Sequence, residues 1–184
     1  MDYNYKIIRS GRRTLALEIK QGELIVRAPY LTTESSIRDF VEKNRAWIEK
    51  HLTKAQEREE LKADIPKLTG KEINELADKA LAYIPERVKY FAPLVGVTYG
   101  RITIRNQKSK WGSCSAKGNL NFNCLLMLAP PDVIDSVVVH ELCHRLEMNH
   151  SARFYQEVFR VMPNYKEAHA WLKKNGDLLM GRTR

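Results

Sequence analysis

The chain has 184 residues and a formal net charge of +9 at pH 7, with 43% hydrophobic and 29% charged residues. These proportions are ordinary for a globular protein with a real core, and no apolar run is long enough to cross a bilayer. The first residues lack the apolar segment of a signal peptide, and the three cysteines lack zinc-finger spacing. We therefore expect a cytosolic protein with reduced thiols.

The beginning of the chain predicts β structure. Strand-like or alternating segments occupy 6–9, 14–20 and 23–29. Gly11 suits the turn of a first hairpin, and Gln21 with Gly22 suits a second turn.

A helix is expected next. It has N-cap candidates at 32–36, an apolar stripe that begins at Ile37, and a charged continuation to about residue 63. Pro66 then breaks the pattern. We therefore expect an N-terminal strand-and-helix region at 1–66 and a second domain at 67–184.

The second domain is predicted to open with a helical region. Thr69 and Glu72 have the spacing of a capping box, and Pro85 predicts a kink or a division into two helices. Pro93 and Gly96 close the region.

Strands are expected again between 97 and 128. Residues 101–105 alternate cleanly, and a turn at 116–119 joins a strand at 111–115 to a return strand at 120–123. This part of the chain is basic, and the hairpin at 101–117 is our candidate for receiving an extended substrate at its edge, with simple core packing as the alternative role. Its positive charges favour a phosphate or an acidic peptide, or else form a solvated surface. Its cations are Arg101, Arg105, Lys108 and Lys110.

The sequence His140-Glu141-Leu142-Cys143-His144 is an H-E-x-x-H motif. Prolines at 130 and 131 open its helix, and the apolar run at 133–139 predicts that the helix is buried. Histidines at i and i+4 project from one helix face, so His140 and His144 can bind one Zn²⁺. Glu141 is the expected general base on a zinc-bound water.

His150 offers a third ligand. Asn149 is expected to end the helix and to turn His150 back toward the metal. Glu157 and Glu167, on later helices, compete for the same role. Three protein ligands with one open position are typical of a catalytic zinc site.

Two helices are expected after the motif. The first runs from 152 to 161 behind the N-cap residue Ser151, and the second runs from 165 to 174 with Gly176 as its cap.

Further side chains are candidates for supporting roles. Spacing does not select the group that stabilises developing negative charge among Tyr155, Tyr165, His169, Arg145 and Lys110. Carboxylates are expected to orient the ligand imidazoles, and the candidates are Glu147, Glu157 and Glu167. Cys143 points away from the metal, whereas Cys114 is either a small buried side chain or a fourth ligand.

Three blocks resemble the YgjP-like family of zinc metallopeptidases, and the match extends over nearly the whole chain. The blocks are 107–115, 140–144, and 149–151 with Phe154 and Tyr155. A more distant resemblance is to SprT-like and WLM metallopeptidase domains. The resemblance implies an α+β fold whose minimal zincin-like core packs an antiparallel sheet on the H-E-x-x-H helix.

The same resemblance implies that His140, His144 and His150 bind zinc and that Glu141 is the base. Glu147 stands where metzincins need glycine, which argues against a true metzincin.

Two classes of hydrolase fit this sequence. The first is a zinc metallopeptidase acting on peptides or unfolded protein. The alternative is a metal-dependent phosphohydrolase of the pyrophosphatase type, which would bring a nucleoside triphosphate to the same metal through a basic pocket. A binding module with structural zinc is a third class, against which Glu141 argues. No nucleic-acid motif accompanies the positive charge, and the residues specify no oligomeric state.

Overall fold

The computed structural model describes residues 3–20 and 22–183, apart from the side chain of residue 62. The chain divides into two compact units, Met1–Asp64 and Ile65–Arg184, which we call unit 1 and unit 2. Within the described residues, no helix combines the length and the apolar character that crossing a bilayer requires.

Unit 1 combines a three-stranded sheet with two helices. Its elements are β1 (Tyr5–Ser10), β2 (Ala16–Lys20), β3 (Glu23–Pro29), α1 (Glu34–Lys43) and α2 (Arg45–Asp64). β3 lies in the middle, parallel to β1 and antiparallel to β2. Alternate side chains of β3 point to one face and are buried with apolar residues of the helices. This small core contains Leu24, Val26, Ala28, Ile37, Val41 and Ile48.

Two predictions for unit 1 are wrong. Gly11 does not close a hairpin, because β1 pairs with β3 and not with β2. The expected long helix is interrupted at Asn44, whose side-chain amide donates to the carbonyl of Phe40 and competes with the helical hydrogen bonds. The second turn is confirmed at Gly22, which adopts φ +79°, while Gln21 lies outside the described residues.

Unit 2 is built around its motif-bearing helix. Its elements are α3 (Gly70–Val95), β4 (Ile102–Arg105), β5 (Gly112–Cys114), β6 (Leu120–Asn123), a 3₁₀ helix (Cys124–Leu128), α4 (Pro131–Cys143), α5 (Ala152–Val161) and α6 (Tyr165–Gly181). α4 contacts α3, α5, α6 and β5. Most of its side chains are buried, as expected for a helix that is apolar on nearly every side.

The α+β class is confirmed, but the expected antiparallel sheet is only half right. The order is β4-β6-β5, with β6 antiparallel to β5 and parallel to β4. The side chains Leu120 and Phe122 of the central strand β6 share one face and are fully buried.

Two helix boundaries in unit 2 differ from the predictions, and a third region keeps one of its two predicted forms. α3 is not divided at Pro85 but continues through it, since the carbonyl that this proline leaves unpaired belongs to the exposed Leu81 and can bond to water. α6 continues past Gly176, which lies inside the helix against Trp111. α4 ends at Cys143, well before Asn149.

Candidate metal centre

Three histidines converge at the end of α4. His144 is the C-cap residue of the helix, and the following turns bring His150 back beside it. One ring nitrogen of each of His140, His144 and His150 lies within 4.8 Å of the others. The Nε2 atoms of His140 and His150 are 3.0 Å apart. In the part of the chain that the structure describes, no Cys, Asp or Glu joins this group.

Phe154 forms a floor beneath the three imidazoles. It is fully buried at the start of α5, and its ring centroid lies 4.9, 4.7 and 4.9 Å from those of His140, His144 and His150. Ser151 fixes the first turn of α5 by accepting a hydrogen bond from the backbone N–H of Phe154. The N-cap that the sequence predicts therefore also sets the position of this floor.

Hydrogen bonds orient two of the rings. His144 Nδ1 lies 3.0 Å from the main-chain carbonyl of Glu147, which can only accept, so Nδ1 carries the proton and Nε2 keeps its lone pair. His140 Nδ1 lies 2.9 Å from the hydroxyl of Tyr165, which lies 3.5 Å from His169 Nδ1. The partners of these rings are thus a carbonyl and a phenol.

For His140 and His144, the expectation that carboxylates orient the ligand rings is therefore wrong. The carboxylates of Glu147 and Glu157 form ion pairs with Arg153 and Arg160, at 3.1 and 2.8 Å. Both carboxylates are thus engaged by arginines and not by the ring nitrogens of His140 and His144.

Burial favours the neutral form of His140 and His144. It lowers the pKa of His140 to about 3, with further lowering by His144, His150 and His169. Burial also lowers the pKa of His144. Neutral imidazole is the form that binds a metal ion, so the environment favours the ligand state.

Glu141 lies in a tight contact with β5. Its side chain is only 5% exposed, and burial raises its pKa to about 8, against an opposing effect of the Lys110 charge. A Cβ atom on Gly112 would come within 2.6 Å of Glu141 Oε1. Only glycine leaves room for the carboxyl group here. The closeness of Gly112 to Glu141 depends on the tertiary structure, since the two residues lie on different elements.

A cavity of about 210 Å³ opens beside His140 and Glu141. Its apolar lining includes Trp111, Val137 and Leu172, and its polar lining includes Ser136, Lys110 and His169. A larger hollow of about 620 Å³ lies in unit 1, but it brings together no group of metal-ligating side chains among the described residues.

The other predicted site residues lie in varied surroundings. Arg145 donates to the carbonyls of Thr98 and Ala116 and joins two loops. Cys143 is buried in the core, as expected, while the half-buried Cys114 lies outside the histidine group. All three cysteines are free thiols. Tyr155 packs its ring against Phe154.

Sequence reasoning missed Asn123. Its buried side chain donates to the carbonyls of Gln107 and Lys110 and accepts from the backbone N–H of Leu125. Asn123 therefore holds the loop that places Lys110 and Trp111 at the cavity. The only signal in the sequence is a polar residue at the end of an apolar strand.

Two crystal structures of archaeal metallopeptidase zymogens are similar to part of this chain. Abylysin of Pyrococcus abyssi shares 21% identity over 50% of this chain and 93% of its own, with a TM-score of 0.45. Jannalysin of Methanocaldococcus jannaschii shares 19% identity over 50% of this chain and 95% of its own, also with a TM-score of 0.45. No curated protein sequence matches the chain.

A family model covers most of the sequence. The model described as "YgjP-like, metallopeptidase domain" matches residues 13–77 and 66–175, a span that includes the three histidines and Glu141. The resemblance that the motifs indicated is thereby confirmed, and the chain belongs to the YgjP-like family of metallopeptidase domains.

Proposed function

We propose that this chain is a zinc-dependent peptidase of the cytosol, in which His140, His144 and His150 hold the metal and Glu141 acts as general base. The observation that carries the proposal is the convergence of three imidazoles beside a buried carboxyl group at the edge of a cavity. The three free thiols suit a reducing compartment.

The donor set fits zinc. Three imidazole nitrogens are typical zinc ligands, and a site with three protein ligands keeps a position for a reactant. Glu157 and Glu167 lie outside the histidine group, which favours His150 as the third ligand. Hydrogen bonds with the phenol of Tyr165 and the carbonyl of Glu147 fix the orientation of the His140 and His144 rings.

Zinc in such a site supplies Lewis-acid polarisation of a carbonyl oxygen and makes water more acidic. Glu141 accepts the proton of the attacking water and later gives it to the leaving amine. Its dry surroundings suit the protonated form, while nearby positive charge, such as that of Lys110, favours the carboxylate. Because these influences oppose each other, Glu141 can be protonated or ionised near neutral pH, as a general base that later donates the proton requires.

The cavity accommodates part of the substrate beside Glu141. Its apolar lining suits an uncharged side chain next to the cleaved bond. Lys110 and His169 line the same space, and we propose them as the groups that stabilise negative charge on the substrate. Five residues were candidates for this role in the sequence, and the other three have different partners. Arg145 donates to two carbonyls, Tyr165 bonds to His140, and Tyr155 packs against Phe154.

The test is turnover by zinc-loaded protein on peptides, unfolded protein and nucleoside triphosphates. Amine release should fall at least about 100-fold in Glu141→Gln, with zinc content unchanged. Glu157→Gln is the matched control, because it makes the same chemical change in an ion pair outside the histidine group.

Phosphate release that disappears in Glu141→Gln would instead establish the phosphohydrolase alternative, which the comparisons do not support. Amine release that survives in Glu141→Gln would show that Glu141 is not the base.

A further inference from the structure

A basic surface lies on one face of the sheet in unit 2. A hollow of about 540 Å³ is lined there by eleven residues. Four are the cations Arg101, Arg105, Lys108 and Lys110, and the other seven are uncharged Thr, Gln, Ser and Asn. None is acidic and none is aromatic. We call this surface the basic face.

Strand alternation separates the basic face from the core. Ile102 and Ile104 pack against the core of unit 2, so Arg101, Thr103 and Arg105 point to the opposite side. The register continues the polar row across the sheet, since Thr103 pairs with Asn121 and Asn121 pairs with Ser113. The Asn121 side-chain amide lies 3.4 Å from the hydroxyl of Ser113.

Two of the four cations on this surface, Arg101 and Arg105, are not balanced by a neighbouring carboxylate among the described residues. From residue 87 to residue 131 the sequence contains seven Lys and Arg and no Asp or Glu. Arg101 and Arg105 are exposed and take part in no ion pair within the described ranges, 3–20 and 22–183. Adjacent like charges without counter-ions attract an anionic partner.

Lys110 connects the basic face to the candidate catalytic centre. It lines the hollow on the sheet and also the cavity that holds His140 and Glu141. Its charge acts on Glu141. The basic face and the cavity beside His140 and Glu141 therefore adjoin at Lys110.

We propose that the basic face binds an acidic, extended segment of the polypeptide substrate beside the bond that is cleaved. This inference rests on the proposed peptidase function and names its substrate class. Side chains on one face of an extended chain repeat about every 7 Å, which is also the spacing of Arg101, Thr103 and Arg105 along their strand. Carboxylates at alternate positions of a peptide thus match the cations and hydroxyls of the sheet.

A single-stranded nucleic acid fits this surface less well. Proteins that bind single strands usually stack the bases on aromatic side chains, and the lining of the basic face has none. The uncharged polar side chains between the cations suit the backbone and carboxylates of a peptide.

The test measures binding to the zinc-loaded Glu141→Gln protein, so that no substrate is consumed. The probes are labelled peptides of one length that carry Glu, Gln or Lys at alternate positions, an oligonucleotide of equal negative charge, and a nucleoside triphosphate. The acidic peptide should bind at least about tenfold more tightly than its Gln counterpart, and added salt should reduce the difference.

Charge variants test whether this surface is responsible. Arg101→Gln with Arg105→Gln should weaken binding of the acidic peptide about five- to tenfold and leave the Gln peptide unchanged. The matched control is Lys79→Gln with Lys89→Gln, which removes two exposed positive charges from α3 and should leave both affinities unchanged.

Equal binding of the Glu and Gln peptides would overturn the inference, as would tighter binding of the oligonucleotide or the nucleotide. Equal losses of affinity for the acidic peptide in the two double variants would also overturn it. They would show that the net charge of the protein, and not the basic face, determines the binding. Hydrolysis of both peptides without any acidic preference would sink this inference alone. Acidic binding without hydrolysis of any peptide by the wild-type protein would sink the proposed function.

Discussion

The two three-stranded sheets share one topology and serve different purposes. In each sheet the last strand lies in the middle, parallel to the first and antiparallel to the second. In unit 1, β2 turns Leu17 and Ile19 toward an apolar core. In unit 2, the corresponding strand β5 turns Gly112 toward the carboxyl group of Glu141.

The difference lies in single side chains and not in strand order. β2 contributes large apolar groups that fill space, while β5 gives up a side chain so that a helix residue can approach its backbone. Strand order thus sets where a position lies, and residue size at that position decides between packing and chemistry.

The largest effect is expected from Gly112→Ala. The new methyl group would meet Glu141 Oε1 at 2.6 Å, so the carboxyl group or the strand must move. A displacement of about 1 Å at a catalytic group costs about 100-fold in rate, and we expect a loss of that size in peptide hydrolysis. The measurement is the steady-state rate of peptide hydrolysis for each protein, divided by its zinc content.

Ser113→Ala is the control for Gly112→Ala, because Ser113 lies on the same strand and lines the opposite face. The rate of Ser113→Ala with an uncharged peptide should stay within about twofold of the wild-type rate. Full activity in Gly112→Ala would show that the contact with Glu141 does not matter.

The C-terminal ends of the two central strands, β6 and β3, give a second comparison. Asn123 at the end of β6 is fully buried and makes three hydrogen bonds. Asn123→Ala leaves those groups unpaired and should lower the free energy of unfolding by about 2–3 kcal/mol.

At the C-terminal end of β3, a substitution should change the free energy of unfolding far less. There Arg9 Nη1 donates to the carbonyls of Pro29, Tyr30 and Thr32 in a partly exposed position. Water can replace these bonds in Arg9→Ala, and we expect a loss of about 1 kcal/mol or less. Denaturant titrations compare the two variants, and an equal or larger loss at Arg9 would contradict the distinction between the two strand ends.

A third comparison uses two tyrosine hydroxyls. Tyr165 is buried and bonds to His140 Nδ1 at 2.9 Å, whereas Tyr3 bonds to Glu49 at 2.8 Å on the surface of unit 1. Tyr165→Phe should weaken zinc binding about tenfold, because the ligand ring loses its orienting partner. Tyr3→Phe should leave zinc affinity unchanged. Competition with a chelator measures both, and unchanged affinity in Tyr165→Phe would remove the phenol from the metal centre.

Local rules were sufficient for the features that lie within one element. The i and i+4 spacing of His140 and His144, the N-cap Ser151 and the left-handed Gly22 all follow from neighbouring residues. The β5–β6 hairpin was predicted for the same reason, since its turn residues lie between two alternating segments.

Features that depend on distant parts of the chain were not predictable in the same way. A hairpin and a split pair of strands have the same alternating pattern, so Gly11 gave no sign that β3 would lie between β1 and β2. The same holds for Gly112 and Asn123, whose roles come from residues on other elements. Gly176 was interpreted as a helix cap, although it lies within α6 against Trp111.

The smallest effect is expected at that last contact. A Cβ atom on Gly176 would lie 3.2 Å from Cζ2 and Nε1 of Trp111, so the indole must shift by a few tenths of an ångström. The helix gains about 0.5–1 kcal/mol from alanine, which offsets the tighter packing and leaves the stability nearly unchanged. The shift moves a wall of the cavity, and KM for peptides with a large apolar side chain should rise about threefold. Gly181→Ala on the same helix meets nothing within 4 Å and should leave KM unchanged. An equal KM in both variants would show that the indole does not border the bound substrate.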